Sequence, residues 1–261
     1  IAPRPIALAS TIDRQGNINL SPFSFFNVFS ANPPILIFSP SRRVRDNTTK
    51  HTLENVLEVP EVVINVVTYN IVEQTSLAST EYDKGVNEFV KAGFTAIPSE
   101  KVKPPRVKES PVQFECIVRE VKPLGTEGGA GNLVLSEVLC FHVHPSVLDE
   151  KGKIDTRKMD LVARMGGDWY CRAYGNAIFE VEKPIAKKGI GIDQLPDNIR
   201  TSHYLTGNQL ARLANIEKIP DKASLASIAV PKREALHPHQ LAAQLLDEGN
   251  LLAAWKVLLQ H

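Results

Sequence analysis

The chain has 261 residues, of which 43% are apolar and 23% charged, as is typical of a globular protein with one large domain or a domain and an appendage. Its formal net charge of +1 gives no reason to expect a nucleic acid or a membrane surface as a partner. No run approaches the ~20 apolar residues that a membrane-spanning helix requires, so we expect no membrane segment.

The first element along the chain is a predicted β-hairpin. Residues 5–12 are apolar and strand-like, and residues 13–17 contain the Asp, Gly and Asn typical of a hairpin turn. In the return strand, residues 18–23, polar Asn19 and Ser21 alternate with apolar residues, so that one face carries side-chain donors. Such a surface suits a flat heteroaromatic ring. The alternative is an ordinary hairpin whose polar side chains point to water.

The next segment is an apolar strand, residues 35–38, followed by a basic and hydroxyl-rich loop. Residues 39–52 contain three arginines, one lysine and five hydroxyl residues, and a helix is predicted to begin near Leu53. Phosphate binding requires such donors near a helix start with a cation beside them, and His51 can donate to an anion as well. No glycine-rich phosphate loop is present, so side chains would hold the phosphate. The alternative is a solvated helix cap.

The following 120 residues or so also read mostly as strands and loops. Strands are predicted over residues 62–67, 113–121, 133–144 and 171–181, and the glycine-rich residues 125–131 are interpreted as a flexible hairpin connection. Six or seven strands with no regular alternation of strand and helix favour an antiparallel barrel over a parallel α/β sheet.

The last part of the chain has helical spacing. Apolar residues recur on one side of residues 197–215 and 238–259, and Gly249 indicates that the second segment is two short helices. We therefore expect a β domain over residues 1–185 and a partly helical extension over residues 186–261. The extension is expected to pack on the barrel or to lie at a dimer contact.

The three cysteines and two of the histidines are candidate metal ligands or redox groups. Cys116, Cys140 and Cys171 lie within apolar runs, which favours reduced thiols in the core of a cytoplasmic protein, with a redox-active pair as the alternative. His142 and His144 would point the same way on a strand, but no carboxylate or cysteine stands near them in a recognisable metal-ligand spacing. We therefore expect no metal site. No Ser-His-Asp or Cys-His pattern with a nucleophile elbow is present, which argues against a hydrolase.

Taken in order, these segments resemble the flavin reductase-like family of FMN-binding split-barrel proteins, which includes flavoredoxins. The segments that carry the resemblance are residues 3–13, 16–26, 38–52, 87–95, 104–116, 136–142 and 164–170. The resemblance covers residues 3–183. It implies a mainly β fold, namely an antiparallel six-stranded Greek-key split barrel with peripheral helices and a helical C-terminal extension. It also implies a homodimer with FMN between the subunits.

The resemblance implies three groups of cofactor-binding residues. The isoalloxazine ring and ribityl chain would be lined by Asn19, Ser21, Pro22, Ser24, Phe38 and Ser39. The phosphate would be held by Ser41, Arg42, Thr48, Thr49, Lys50 and His51. The pocket would be closed by Arg164, Gly166, Gly167 and Tyr170, from the same subunit or from its partner. No protein side chain is expected to be catalytic, because FMN carries the redox chemistry.

The implied activity is that of an NAD(P)H:flavin oxidoreductase, with NADH or NADPH as the electron donor. Two-component reductases of this kind typically have a Gly-Asp-His turn before a strand that ends in Gly-Glu-Val. Here residues 130–132 are Ala-Gly-Asn and residues 136–138 are Ser-Glu-Val. This departure leaves open a flavoredoxin-like electron carrier that is reduced by a redox-protein partner. A split-barrel protein with no flavin, or with another ligand, is the third hypothesis.

Overall fold

A computed structural model describes residues 1–185, 188–231 and 236–260 of the chain. The chain divides into two compact units, Ile1–Phe179 and Glu180–His261. Within the described residues, no helix combines the length and the apolar character needed to cross a bilayer.

The first unit contains the strands and three short α-helices. In chain order, its elements are β1 (Ala7–Ile12), β2 (Ile18–Phe23), β3 (Phe26–Ala31), β4 (Pro34–Phe38), α1 (His51–Glu58), β5 (Glu61–Val66), α2 (Val72–Leu77), α3 (Glu88–Ala92), β6 (Ala96–Ile97), β7 (Arg106–Val107), β8 (Val112–Pro123), β9 (Asn132–Val143), β10 (Leu161–Gly166) and β11 (Trp169–Ala173).

Seven of these strands form one antiparallel sheet, in the order β2-β1-β5-β8-β9-β4-β3. The long strands β8 and β9 pair along almost their whole length, which places them at the centre of the sheet. Two small hairpins, β10-β11 and β6-β7, accompany the sheet. The prediction of a mainly β, antiparallel architecture is confirmed.

The sequence-based strand assignment missed β3, β6, β7 and β10, and it gave one further strand the wrong extent. Strand β3 was not predicted, because it is an edge strand on which Val28 and Phe29 are both exposed and no alternating pattern marks a buried face. The strand predicted over residues 171–181 was wrong in its extent. Strand β11 ends at Ala173, and Gly175, with a φ of 55°, begins a short 3₁₀ turn there.

Both faces of β1 are buried, which explains the apolar run of residues 6–9 that leads into it. Ala7 and Ala9 contribute to one hydrophobic cluster of the unit, and Ile6 and Leu8 contribute to another on the opposite face. The alternation of side chains along a strand produces this division. The sheet therefore has helices and loops packed on it, and α1 is one of them.

The second unit is helical, with α4 (Asp197–Arg200), α5 (Gly207–Ala214), α6 (Lys222–Ala226), α7 (Pro238–Asp247) and α8 (Leu251–Leu258). Its own hydrophobic cluster includes the fully buried Trp255. The single helix expected over residues 197–215 is two helices. Thr206 and Gln209 form a capping box that starts α5 anew. The break expected at Gly249 is confirmed, since this residue has a φ of 82° between α7 and α8.

Candidate flavin site

A pocket lies where β2, the start of α1 and the segment after α2 meet, and we call it the α1 pocket. It is lined by Asn19, Ser21, Arg43, Lys50, His51, Thr52, Ala78, Ser79, Thr80, Glu81, Tyr82 and Glu88. Four of the residues predicted from the sequence are therefore brought together here: Asn19, Ser21, Lys50 and His51. The segment of residues 78–82 was not foreseen.

Buried hydrogen bonds fasten the walls of the α1 pocket to each other. The Thr52 hydroxyl donates to Asn19 Oδ1 at 2.6 Å, and Asn19 Nδ2 donates to Glu88 Oε1 at 2.7 Å. The Leu20 N–H donates to the other oxygen of Glu88 at 2.9 Å. Burial raises the pKa of Glu88, although these hydrogen bonds oppose the shift. Both polar atoms of the Asn19 side chain are thus engaged within the protein, so Asn19 positions the pocket walls.

Two cations, Arg43 and Lys50, line the α1 pocket together with the carboxylates of Glu81 and Glu88. Arg43 Nε lies 3.2 Å from Glu81 Oε1, and Arg43 Nη1 donates to the Thr48 hydroxyl at 3.0 Å and to the carbonyl oxygen of Thr49. Arg43 is thereby held in a fixed orientation. Three arginines stand within four residues of this loop, and no feature of their spacing distinguishes the one that faces the pocket.

Lys50 is half-buried at the N-terminal end of α1, and no hydrogen bond or salt bridge joins its ammonium group to any residue in the described part of the chain. Burial lowers the pKa of Lys50, and the neighbouring charge of Arg43 lowers it further, while Glu81 acts in the opposite sense. A half-buried cation beside a second cation and the hydroxyl residues Ser79 and Thr80 is a site suited to an anion.

Other residues predicted to hold the phosphate are engaged elsewhere. Arg42 donates from Nε and Nη2 to the side-chain and backbone oxygens of Asn47, each at 2.6 Å. The Thr48 hydroxyl donates to Asp46 at 2.6 Å and the Thr49 hydroxyl donates to Glu54 at 2.7 Å. These contacts shape the loop before α1. Ser41, Arg42, Thr48 and Thr49 do not line the α1 pocket.

Two residues expected along the ring do not fit that position. Phe38 is fully buried, and its ring centroid lies 5.3 Å from that of Phe23 within the core. Ser39 is 8% exposed, and it packs so closely against Gly131 that a Cβ there would meet the Ser39 hydroxyl at 2.6 Å. The family resemblance implies both residues, but the pleat of β4 turns Phe38 into the core.

The residues predicted to close the pocket lie near the other end of β2, and they are Arg164, Gly166, Gly167 and Tyr170. Arg4 and Arg164 exchange backbone hydrogen bonds of 3.0 and 2.9 Å, and Arg4 Nε donates to the Ser24 hydroxyl at 3.2 Å. The Arg164 guanidinium lies 4.7 Å from the centroid of the Tyr170 ring. Asn19 and Ser24 are five residues apart, which corresponds to about 17 Å of strand. Pro22 is half-buried between these ends.

Arg164 and Tyr170 line a second cavity, of about 440 Å³. Its other lining residues are Tyr69, Val72, Glu73, Ser76, Val162, Asp168, Cys171 and Arg172. Gly166 and Gly167 have φ values of 129° and 52° and form the turn between β10 and β11. The glycines therefore shape the hairpin, and Arg164 and Tyr170 face open space.

One further cluster was missed by sequence reasoning. Glu115, Cys140 and His142 have ligand atoms that all lie within 4.8 Å of one another. The Cys-x-His spacing on a strand was a usable signal, since it places both side chains on one face. The carboxylate comes from the neighbouring strand, so the pairing of β8 with β9 was needed to find it.

A family model described as a flavin reductase like domain matches residues 2–160. The chain belongs to the flavin reductase-like family.

Relatives of this flavin reductase-like protein support the same assignment. An uncharacterized protein of Aquifex aeolicus is 39% identical over 181 residues, covering 69% of this chain and 90% of that protein. Nitrilotriacetate monooxygenase component B from Bacillus cereus is 29% identical, with a TM-score of 0.64, over 69% of this chain and 88% of that chain. A protein with a split barrel domain from Shewanella frigidimarina is 30% identical, with a TM-score of 0.59, over 69% and 86%. The split-barrel fold is thus confirmed.

Replacing Lys50 tests whether the α1 pocket holds an unfavourable charge. We expect Lys50→Met to raise the free energy of unfolding of the ligand-free protein by about 0.5–1 kcal/mol at pH 7, since Met retains the apolar stem without the cation. A lysine whose pKa is lower in the folded than in the unfolded protein destabilises the fold at every pH below the lowered pKa. This destabilisation decreases as the pH rises further and is lost above the ordinary pKa of 10.5. The difference in unfolding free energy between Lys50→Met and the wild type should therefore become smaller as the pH approaches 10.5.

Urea unfolding at pH 7 and at high pH measures both effects. Lys108 is exposed, so Lys108→Met serves as the control and should change the unfolding free energy by less than about 0.5 kcal/mol. A Lys50→Met protein that is less stable than the wild type at pH 7 would contradict this interpretation.

Proposed function

We propose that this protein is an FMN-binding oxidoreductase and that the α1 pocket receives the FMN phosphate. The observation that carries the proposal is Lys50, a half-buried cation without a bonded anion, beside Arg43 and the hydroxyls of Ser79 and Thr80. A phosphate would supply the missing negative charge and accept hydrogen bonds from Lys50, Arg43 and the Thr80 hydroxyl, whereas the Ser79 hydroxyl donates to the carbonyl oxygen of Ser76 at 2.6 Å. His51, at the start of α1, is a further donor.

The rest of the cofactor would follow β2 from the α1 pocket toward Ser24. Ser21 lines the pocket, and Pro22 is the next residue along the strand, so both are suited to contact the ribityl chain and the ring. Arg164 and Tyr170, at the far end, would close over the ring. A bound flavin supplies the redox chemistry, by accepting and donating electrons, and the protein binds it, orients it and limits the access of water.

Comparing FMN with riboflavin, which lacks the phosphate, tests this assignment. We expect Lys50→Met to weaken FMN binding by about 1.5–3 kcal/mol, or roughly 10- to 150-fold, because a charge-assisted hydrogen bond is lost. Riboflavin affinity should be nearly unchanged in the same variant. Quenching of flavin fluorescence on titration measures both dissociation constants.

Thr49 offers a matched control on the same loop. Its hydroxyl donates to Glu54 and it does not line the α1 pocket, so Thr49→Val should leave the ratio of FMN to riboflavin affinity as in the wild type. An equal loss of FMN and riboflavin affinity in Lys50→Met would place the phosphate elsewhere.

The electron donor we favour is NADH or NADPH, with electrons passing through FMN. A second function, that of an electron carrier reduced by a redox protein, is supported by one observation. Asn132 occupies the position at which the family's two-component reductases typically have histidine, and it is 5% exposed, with Nδ2 donating to the carbonyl oxygen of Pro40 at 3.0 Å. Asn132 thus serves the fold and is not free to contact a nicotinamide.

An anaerobic visible spectrum of the FMN-loaded protein distinguishes the two functions. For the reductase, we expect the flavin absorption to bleach within seconds when NADH or NADPH is added. For the carrier, the protein stays yellow until dithionite or a reduced ferredoxin-type protein is supplied. A purified protein that binds no flavin would exclude both functions.

We further propose that the protein forms a homodimer. Strand β3 is a sheet edge with unpaired backbone groups, and it exposes 61% of Val28 and 64% of Phe29. Leu139 and Phe141, on β9, are exposed as well. Exposed apolar residues at a sheet edge favour association, and a second copy of the chain would cover them.

The dimer proposal predicts the effect of a charge on β3. Phe29→Glu should weaken dimerisation by at least about 2 kcal/mol, because a carboxylate would be buried without a partner. Light scattering coupled to size-exclusion chromatography measures the mass. Phe179→Glu, at a residue that is 78% exposed outside β3, is the control and should remain dimeric. A wild-type protein that is monomeric at high concentration would refute the dimer.

A further inference from the structure

Strands β8 and β9 place three potential metal ligands on one face of the sheet. Glu115 pairs with Cys140 across the two strands, and His142 follows Cys140 by two residues. His142 Nε2 lies 2.7 Å from Glu115 Oε1 and 3.8 Å from Cys140 Sγ. A carboxylate, an imidazole and a thiol therefore converge on one point. This point is separate from both cavities of the candidate flavin site.

The carboxylate of the cluster is held in place by hydrogen bonds. Glu115 is fully buried, and it accepts hydrogen bonds from the backbone N–H groups of Glu100 and Lys101. The backbone donors lie 2.6–3.0 Å from its oxygens, and Arg106 Nε lies 3.6 Å away. A fixed anion of this kind is a preorganised ligand.

A nucleophilic cysteine is the competing interpretation, and the geometry disfavours it. Nucleophilic Cys-His pairs place the thiol on one ring nitrogen and an orienting acid on the other. In this cluster His142 Nε2 faces both Cys140 and Glu115, and the Glu115 contact is shorter by more than 1 Å.

We propose that Glu115, Cys140 and His142 form a binding site for Zn²⁺. Thiolate and imidazole ligands together select zinc over magnesium or calcium. Tetrahedral zinc with bonds of about 2.0–2.3 Å needs ligand atoms roughly 3.3–3.8 Å apart. The nitrogen-to-sulfur distance of 3.8 Å already meets this requirement, and the nitrogen-to-oxygen distance of 2.7 Å needs only a small opening.

The surroundings leave room for a fourth ligand and balance the charge. Glu100 Oε1 lies 3.8 Å from His142 Nδ1, the ring nitrogen that does not face the cluster, so Glu100 is placed to orient the ring and a water would be the fourth ligand. Arg106 and Lys101 are the cations that face the cluster, and they offset the two carboxylates. Zinc binding releases the proton of the Cys140 thiol to solvent, and His142 binds through Nε2 as the neutral tautomer that carries its proton on Nδ1.

Cobalt is a spectroscopic probe for this site, since Co²⁺ takes the place of zinc and a thiolate ligand gives it a near-ultraviolet charge-transfer band. We expect flavin-free wild-type protein to bind one Co²⁺ with this band and to lose the band when Zn²⁺ is added. Cys140→Ala should abolish the band and weaken Zn²⁺ binding by at least about 100-fold. Cys171→Ala removes a thiol elsewhere, on β11, and should bind both metals as the wild type does.

X-ray absorption of the zinc-loaded wild type provides a second test that needs no variant. One sulfur and two or three nitrogen or oxygen neighbours are expected. A wild-type protein that binds no metal stoichiometrically, a zinc shell without sulfur, or an unchanged Cys140→Ala variant would each overturn the proposal. Because these measurements use flavin-free protein, their outcome is independent of the flavin assignment.

Discussion

The buried hydrogen bonds of Asn19 are the interaction on which the candidate site depends. This one side chain links β2 to α1 through Thr52 and to α3 through Glu88. All three residues are less than 10% exposed, so the loss of any partner would leave a buried polar group unsatisfied, at a cost of about 1–3 kcal/mol. The network therefore fixes where α1 begins, and with it the place of Lys50 and His51.

The charge on Lys50 shows how this flavin reductase-like protein differs from a chain selected for stability alone. Its fold holds a half-buried cation next to Arg43, which lowers the pKa of Lys50 and costs free energy without a ligand. An anion that binds there recovers this cost as affinity. Glu115 differs from Lys50, because backbone N–H donors already stabilise its buried carboxylate beside a thiol and an imidazole.

The positions of most of the main β-strands along the chain, the hairpin of β1 and β2 and the break at Gly249 could be predicted, because apolar periodicity and turn residues are local signals. Which residues of the basic loop line the α1 pocket could not be predicted. Arg42 bonds to Asn47, and Thr49 bonds to Glu54, whereas Arg43 faces the pocket. These orientations depend on how the loop closes on itself and on α1, and composition does not encode them.

The sequence by itself determined the family, the antiparallel β architecture and the presence of a basic segment before α1, since each rests on residues that are neighbours along the chain. Tertiary structure alone decided which of those residues share a pocket. Glu88 reaches Asn19 across 69 residues, and Glu115 reaches His142 across 27. Such encounters are set by strand register and helix packing. The physical reason is that a buried side chain contacts the residues that lie near it in three dimensions, and these can be far away along the sequence.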